Sequence, residues 1–161
     1  MATCEIYALK AVIIMAMTRL IYFSENKIGL LGRARQIAEL QAVAVDRNRK
    51  VRITGALVYD DLWFIQALEG ERSAVKLVFE RIARDKRHAN PSILTLTNAS
   101  ARLFGEWSMG FASRNAKTEP LFGLHWCNKG MNPSTMTEKG ILSLMVELGR
   151  QGHMDSLSRA A

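Results

Sequence analysis

The run ITGALVYDDLWFIQALEG, residues 53–70, decides how this chain is read. It divides into two extended segments that meet at Asp60-Asp61. Thr54, Val58, Tyr59, Trp63, Phe64 and Ile65 are the β-branched and aromatic types that favour strands. Gly55 weakens a strand, so it marks a bend or a close approach of another group. In the second segment the side chains alternate. Leu62, Phe64, Gln66 and Leu68 share one face, and Trp63, Ile65 and Ala67 share the other. Gln66 therefore sits mid-strand among apolar residues. A buried amide needs partners for its carbonyl and for two N–H donors. Either a neighbouring side chain or a ligand must supply them.

The neighbours of this hairpin complete a plan. Residues 18–24, TRLIYFS, read as a first strand with Leu20, Tyr22 and Ser24 on one face and Ile21 and Phe23 on the other. Residues 31–48 carry a helical stripe of Ala34, Ile37, Ala38, Gln41 and Val45. Its alanines allow close packing or leave room for something flat. Gly70-Glu71 opens a second helix, with Val75, Val78, Phe79, Ile82 and Ala83 at amphipathic spacing and Asn90-Pro91 as its stop. Residues 93–98, ILTLTN, form a fourth strand, and a fifth contains Phe104, Trp107 and Met109. The order is strand, helix, strand, strand, helix, strand, a ferredoxin-like α+β sandwich with an extra fifth strand. Right-handed crossovers place the first and third strands side by side, so Tyr22 and Gln66 become neighbours on the helix-covered face.

Residues 1–17 read as an extension, with Met17 as an alternative start; residues 18–112 form the main domain, and residues 113–161 a linker and tail. The segment 120–133 looks like a loop. Thr135 and Glu138 have capping-box spacing ahead of Ile141, Leu144, Met145 and Leu148, which predicts an amphipathic tail helix. Its apolar side must cover the bare face of the sheet or another copy of the chain.

Composition narrows the function classes. The 161 residues are 48% hydrophobic and 23% charged, an ordinary globular balance. Cys4 and Cys127 lie far apart without a CxxC pair, which argues against zinc or a disulfide framework and fits a reducing cytosol. No stretch reaches the roughly 18 apolar residues of a membrane helix. The net charge of +7 fits either a solvated surface or an acidic or phosphate-bearing partner. No hydrolase, P-loop or metal-ligand motif is present, and His125 and His153 stand alone in the tail. What remains is a set of polar residues converging on a central crevice: Tyr22, Asn48, Gln66 and the row Arg81, Asp85, His88. That row has i, i+4, i+7 spacing, which places it on one helix face. It is either an exposed ion pair or part of an anion site, with Arg84, Lys86 and Arg87 crowding the same end.

Five motifs in order carry a resemblance: RLIYFS (19–24), DRN (46–48), the 53–70 run, RIARDKRH (81–88) and RLFGEWSMG (102–110). Together they resemble a BLUF domain, the flavin-using blue-light sensor, over residues 18–110. More weakly, the tail from Leu121 resembles the two-helix extension of short stand-alone members. The resemblance implies a photoreceptor rather than an enzyme, with FAD as cofactor ahead of FMN or riboflavin. Tyr22 matches the tyrosine that passes an electron and a proton to the excited flavin, and Gln66 the glutamine beside it. Asn48 matches the asparagine on the ring's pyrimidine edge, and Ser24 a serine near the tyrosine. Ile53 joins the cofactor-binding set, as do Arg81, Asp85 and His88, which match residues flanking the flavin side chain and phosphates. Trp107 and Met109 match the fifth-strand pair that reports the light state. Arg47 departs from members with a second asparagine there, and the 17-residue start also departs. Output would pass to a partner protein or to another subunit of a homo-oligomer. The rival reading is a ferredoxin-like nucleic-acid or protein-binding module, but no strand carries the basic-Gly-aromatic run that stacks bases.

Overall fold

The computed structural model describes residues 17–125 and 132–155. The expected extension lies outside the described residues, apart from Met17, which opens the first strand. The elements run β1 (Met17–Asn26), α1 (Arg33–Lys50), β2 (Thr54–Tyr59), β3 (Trp63–Glu71), α2 (Arg72–Ala83), β4 (His88–Ala99), β5 (Gly110–Ser113), α3 (Glu119–His125), a 3-10 turn (Pro133–Thr135) and α4 (Glu138–Arg150). The sheet order is β4-β1-β3-β2-β5. β1 pairs antiparallel with both β3 and β4, β2 antiparallel with β3, and β5 parallel with β2. This is the ferredoxin-like order with a fifth strand added at the β2 edge. β1 and β3 lie together at its centre, and Tyr22 stands directly across from Gln66.

The strand alternation separates two cores. Leu20, Tyr22, Phe64 and Leu68 pack under α1 and α2 with Ile37, Leu40, Val75 and Val78. Ile21, Ala56, Val58, Ile65 and Ala67 pack against Leu121, Phe122, Ile141, Leu144 and Leu148 of the tail. The apolar side of the tail therefore covers the bare sheet face. Gly55 is needed for close approach: a Cβ there would stand 2.1 Å from the Ala67 carbonyl oxygen and 3.0 Å from Met109 Cε. Glu71 caps α2 by accepting the N–H groups of Ser73 and Ala74. Cationic Arg47, Arg49 and Lys50 fill the last turn of α1, where they complement its dipole.

Several boundaries differ from the sequence expectation. α2 ends at Ala83, well before Asn90-Pro91. The Asp85 carboxylate accepts the backbone N–H of Arg87 and turns the chain, a local bond that competes with helix. β4 then begins at His88 and runs through Pro91, which an edge strand tolerates. On α1 the buried stripe is Ile37, Leu40, Gln41, Val45 and Asn48, and Ala34 and Ala38 are exposed. Ala83 is exposed as well. Phe104, Trp107 and Met109 precede β5 rather than lying in it. Pro120 stands in the first turn of α3, where its missing N–H costs nothing, so part of the expected loop is helix. Thr137, not Thr135, caps α4, accepting the Gly140 N–H at 3.1 Å. Thr135 is engaged in the preceding turn, donating to the Asn132 carbonyl at 3.0 Å.

Candidate functional site

A crevice opens between α1 and α2 over the centre of the sheet. Its apolar walls come from Leu40, Val43, Ala44, Leu57, Val78, Ile82 and Phe111, and its polar groups are Arg47, Asn48, Gln66, Arg81, Asp85, Arg87 and His88. Asp85 and His88 thus reach the crevice from a turn and from the start of β4, not from a shared helix face with Arg81. Tyr22 and Ser24 stand one layer behind, fully buried. Ile53 packs into the helix-side core, and its Cδ1 fills the space over Gly70. Sequence reasoning missed the wall residues Leu40, Leu57 and Phe111. Their signal was only apolar character on the right face, which every core residue shares.

The hydrogen bonds at the crevice floor form a short chain. Tyr22 donates its hydroxyl to Gln66 Oε1. Gln66 Nε2 donates to Met109 Sδ at 3.1 Å. Asn48 Nδ2 donates to the Ser108 carbonyl at 2.9 Å, which fixes the segment carrying Met109. A thioether is a weak acceptor, so the Gln66–Met109 contact holds the amide loosely. Burial pushes the Tyr22 phenol well above its ordinary pKa, and the Asp85 carboxylate adds to the effect. The phenol is therefore protonated throughout the physiological range. Phe79 packs edge-on against the Tyr22 ring, with centroids 5.2 Å apart.

His88 closes the opposite end of this layer. Its Nδ1 lies 2.8 Å from Ser24 Oγ, and its ring is 4.5 Å from that of Phe64. Burial pushes the imidazole down to about 4, against the pull of Asp85, so it is neutral at pH 7. The Arg87 guanidinium grips Asp85 through Nε at 2.9 Å and Nη2 at 2.5 Å and holds its carboxyl below the usual range. Arg47 and Arg81 line the same mouth, and among the described residues neither is ion-paired. The opposite side of α1 carries a wider cleft of about 1070 Å³. It is lined by Ala34, Ile37, Ala38 and Gln41 of the expected helical stripe and by His153, and by none of the expected cofactor-binding residues.

The family model described as "Sensors of blue-light using FAD" matches residues 17–110. The chain belongs to the BLUF family. Among solved BLUF structures, the photo-activated state of BlsA superposes with a TM-score of 0.72 at 30% identity, covering 82% of this chain and 94% of that one. The dark state of BlrB gives 0.64 at 26% identity, covering 81% and 98%. The antirepressor BluF of Escherichia coli, described as blue light- and temperature-regulated, is 36% identical over 75 residues, 47% of this chain and 19% of its own length. The photoactivated adenylate cyclase subunit beta of Euglena gracilis is 31% identical over 91 residues, 56% of this chain. The chain spans only 11% of that cyclase's length. As a BLUF domain the chain is a flavin-binding, blue-light-sensing module. No helix among the described residues is long and apolar enough to cross a membrane.

The crevice suits a flavin in its chemistry. It is an apolar slot with two amides at its floor and two uncommitted arginines at its mouth, the donor set that a polar ring edge and a phosphate require.

Proposed function

We propose that the protein is a blue-light photoreceptor that binds FAD between α1 and α2 and signals by rearranging the Gln66 side chain. The hydrogen-bond chain from Tyr22 through Gln66 to Met109 carries this reading. Asn48 and Gln66 would meet the ring, Arg47 and Arg81 the phosphates, and Ser24, Ile53, Asp85 and His88 the shape and polarity of the site. The flavin supplies light absorption and, once excited, a strong oxidant.

Tyr22 is held for proton-coupled electron loss. Its phenol stays protonated in the dark, and its O–H already points at an acceptor. When Tyr22 gives up an electron, its proton passes to Gln66 Oε1. Return of the electron and proton leaves the amide rotated or as its tautomer. Rotation exchanges Nε2 for Oε1 and breaks the weak bond to Met109 Sδ, and the tautomer leaves a single N–H on Nε2 to share between Met109 and the ring. An exchanged amide hydrogen bond is worth on the order of 1 kcal/mol. That size biases a segment with two arrangements and does not unfold a domain.

The segment to be biased leads into the tail. The Trp107 ring lies against Gly149 of α4, where a Cβ would stand 2.4 Å from Cη2. Gly110 meets Met154 Sδ at a comparable distance, 3.1 Å from where its Cβ would be. Motion at Met109 therefore acts on α4 and the residues after it, the surface through which a partner protein or second subunit would be engaged. We place this action in the cytosol, on the cysteine-poor composition.

The test is optical. Purified protein is expected to be yellow, with FAD identified by mass after release, and to show a reversible red shift under blue light. Protein that takes up no flavin on expression or reconstitution sinks the reading.

A further inference from the structure

On β3, three residues beyond Gln66 and on the opposite face, stands Glu69, fully buried. A buried carboxylate persists only when its oxygens are well supplied with donors. Glu69 has four sets. Arg19, its cross-strand partner on β1, donates Nε to Oε1 at 2.9 Å, and its Nη2 lies 2.8 Å from the same oxygen. Thr54, its partner on β2, donates its hydroxyl to Oε2 at 3.4 Å. The other two donors are backbone N–H groups of a single turn: Leu103 donates to Oε1 at 2.9 Å and Phe104 to Oε2 at 3.0 Å. An ion pair with Arg19 does not require those two amides. They show that the carboxylate holds a piece of chain.

That chain is the approach to Met109. Phe104 is buried on the tail face of the sheet and Met109 on the helix face, so residues 104–109 pass from one face to the other. The passage is fastened along its length. Trp107 donates its N–H to the Phe104 carbonyl at 3.0 Å, Gly55 donates to the Trp107 carbonyl at 3.1 Å, and Asn48 holds Ser108. At its start, Arg102 reinforces Glu69 by donating Nη1 to the Glu69 carbonyl at 2.7 Å and Nη2 to the Arg52 carbonyl at 2.9 Å. Released from Glu69, the amides of Leu103 and Phe104 lose their acceptors, and the first fixed point of the passage is gone.

We infer that Glu69, with Arg102, is a positioning residue of the photoswitch: its carboxylate anchors the 101–109 segment and thereby sets Met109 Sδ against Gln66 Nε2. This inference rests on the light-sensing reading above. In the Glu69→Gln variant one of the two backbone amides faces an NH2 group instead of an oxygen. The anchored dark geometry is then favoured less, and the lit state returns to dark more slowly.

The experiment measures the dark-recovery rate of the red-shifted band in flavin-loaded full-length protein. A slowing of at least threefold is expected in Glu69→Gln, and a smaller slowing or a faster recovery in the folded variant overturns the inference. The same substitution is then made in Met109→Leu, which keeps the side-chain volume and removes the sulfur acceptor. If Glu69 acts through Met109, its effect there falls below 1.5-fold. An equal effect in both backgrounds overturns the inference, because a general loosening of the fold acts regardless of the sulfur. If Glu69→Gln does not fold, Arg102→Ala, on the exposed rim, takes its place with the same thresholds, and an unchanged recovery rate in it also overturns the inference. Wild-type protein that holds flavin and shows no red shift removes the light-sensing reading and this inference together. A wild-type shift with equal effects removes this inference alone.

Discussion

On β1 and β3, residues that alternate along the chain look to opposite sides of one sheet. Tyr22, Ser24 and Gln66 face α1 and α2; Ile21, Phe23, Ile65 and Ala67 face the tail. The tail side is an apolar core of aliphatic and aromatic side chains, with the Glu69–Arg19 pair buried at one end of it. The helix side buries a phenol, a serine and an amide within the same two-residue period, joined by the Asn48 amide from α1 and the His88 imidazole from β4. On the tail side Ile21, Ile65 and Ala67 are explained by packing, and Glu69 by the donors that hold its carboxylate. On the helix side Tyr22 and Gln66 are bonded in a chain that ends at a weak sulfur acceptor, while Ser24 pairs with His88 and Asn48 with the Ser108 carbonyl. The pleat thus puts the phenol and the central amide on one face and the carboxylate that anchors the 103–109 passage on the other.

The largest test of that contrast is spectroscopic. Gln66→Leu and Tyr22→Phe should retain flavin and lose the light-induced red shift completely, as read in dark and lit visible spectra. A shift that persists in both removes the helix-side chain from its role. On the tail side, Leu144→Ala should cost about 2–5 kcal/mol in urea unfolding, because Leu144 is fully buried, yet leave the position of the red-shifted band unchanged in the folded fraction. A displaced band there would mean that the faces are not separate.

The helix side should also be the pH-sensitive one. His88 binds its proton near pH 4 when folded and near its ordinary 6.5 when unfolded. Between those values the unfolded chain holds the extra proton. Stability of the flavin-free protein should therefore rise with pH from about 4 to about 6.5, by about 3 kcal/mol, and level off above. His88→Gln should flatten this slope in denaturant titrations at several pH values. Arg81→Gln should weaken FAD binding about tenfold at low salt and affect riboflavin little, since only the phosphate contact is lost. The smallest effect belongs to a remote cap: Thr137→Ala should lower stability by about 1 kcal/mol and alter no spectrum.

Much of the site was legible because strands report their faces directly. The alternation in residues 18–24 and 62–68, with the crossover rule, was enough to bring Tyr22 to Gln66. The helical row of Arg81, Asp85 and His88 was misread for a definite reason. An i, i+4, i+7 spacing is the same whether the helix continues or stops, and an aspartate that bonds the amide two residues on stops it. The Asp85-to-Arg87 bond was a readable turn signal that the charge pattern concealed. Trp107 and Met109 were placed in a strand because aromatic and apolar residues favour one. The groups that hold this segment, the Gly55 N–H on the Trp107 carbonyl and the Asn48 side chain on the Ser108 carbonyl, are more than fifty residues away.

The sequence alone therefore determined the order of the first four strands and the two helices between them, the central pairing of the first and third strands, and the faces of residues 20–24 and 63–68 on them. These depend on the period of a strand and the hand of a crossover, which are local or generic. Only the tertiary structure decided that Glu69 grips the turn at 103–104, that Met109 is the acceptor for Gln66, and that the tail covers the sheet rather than a second copy. Those are contacts between distant segments. No local periodicity encodes them; they follow from which surfaces meet once the sheet has formed.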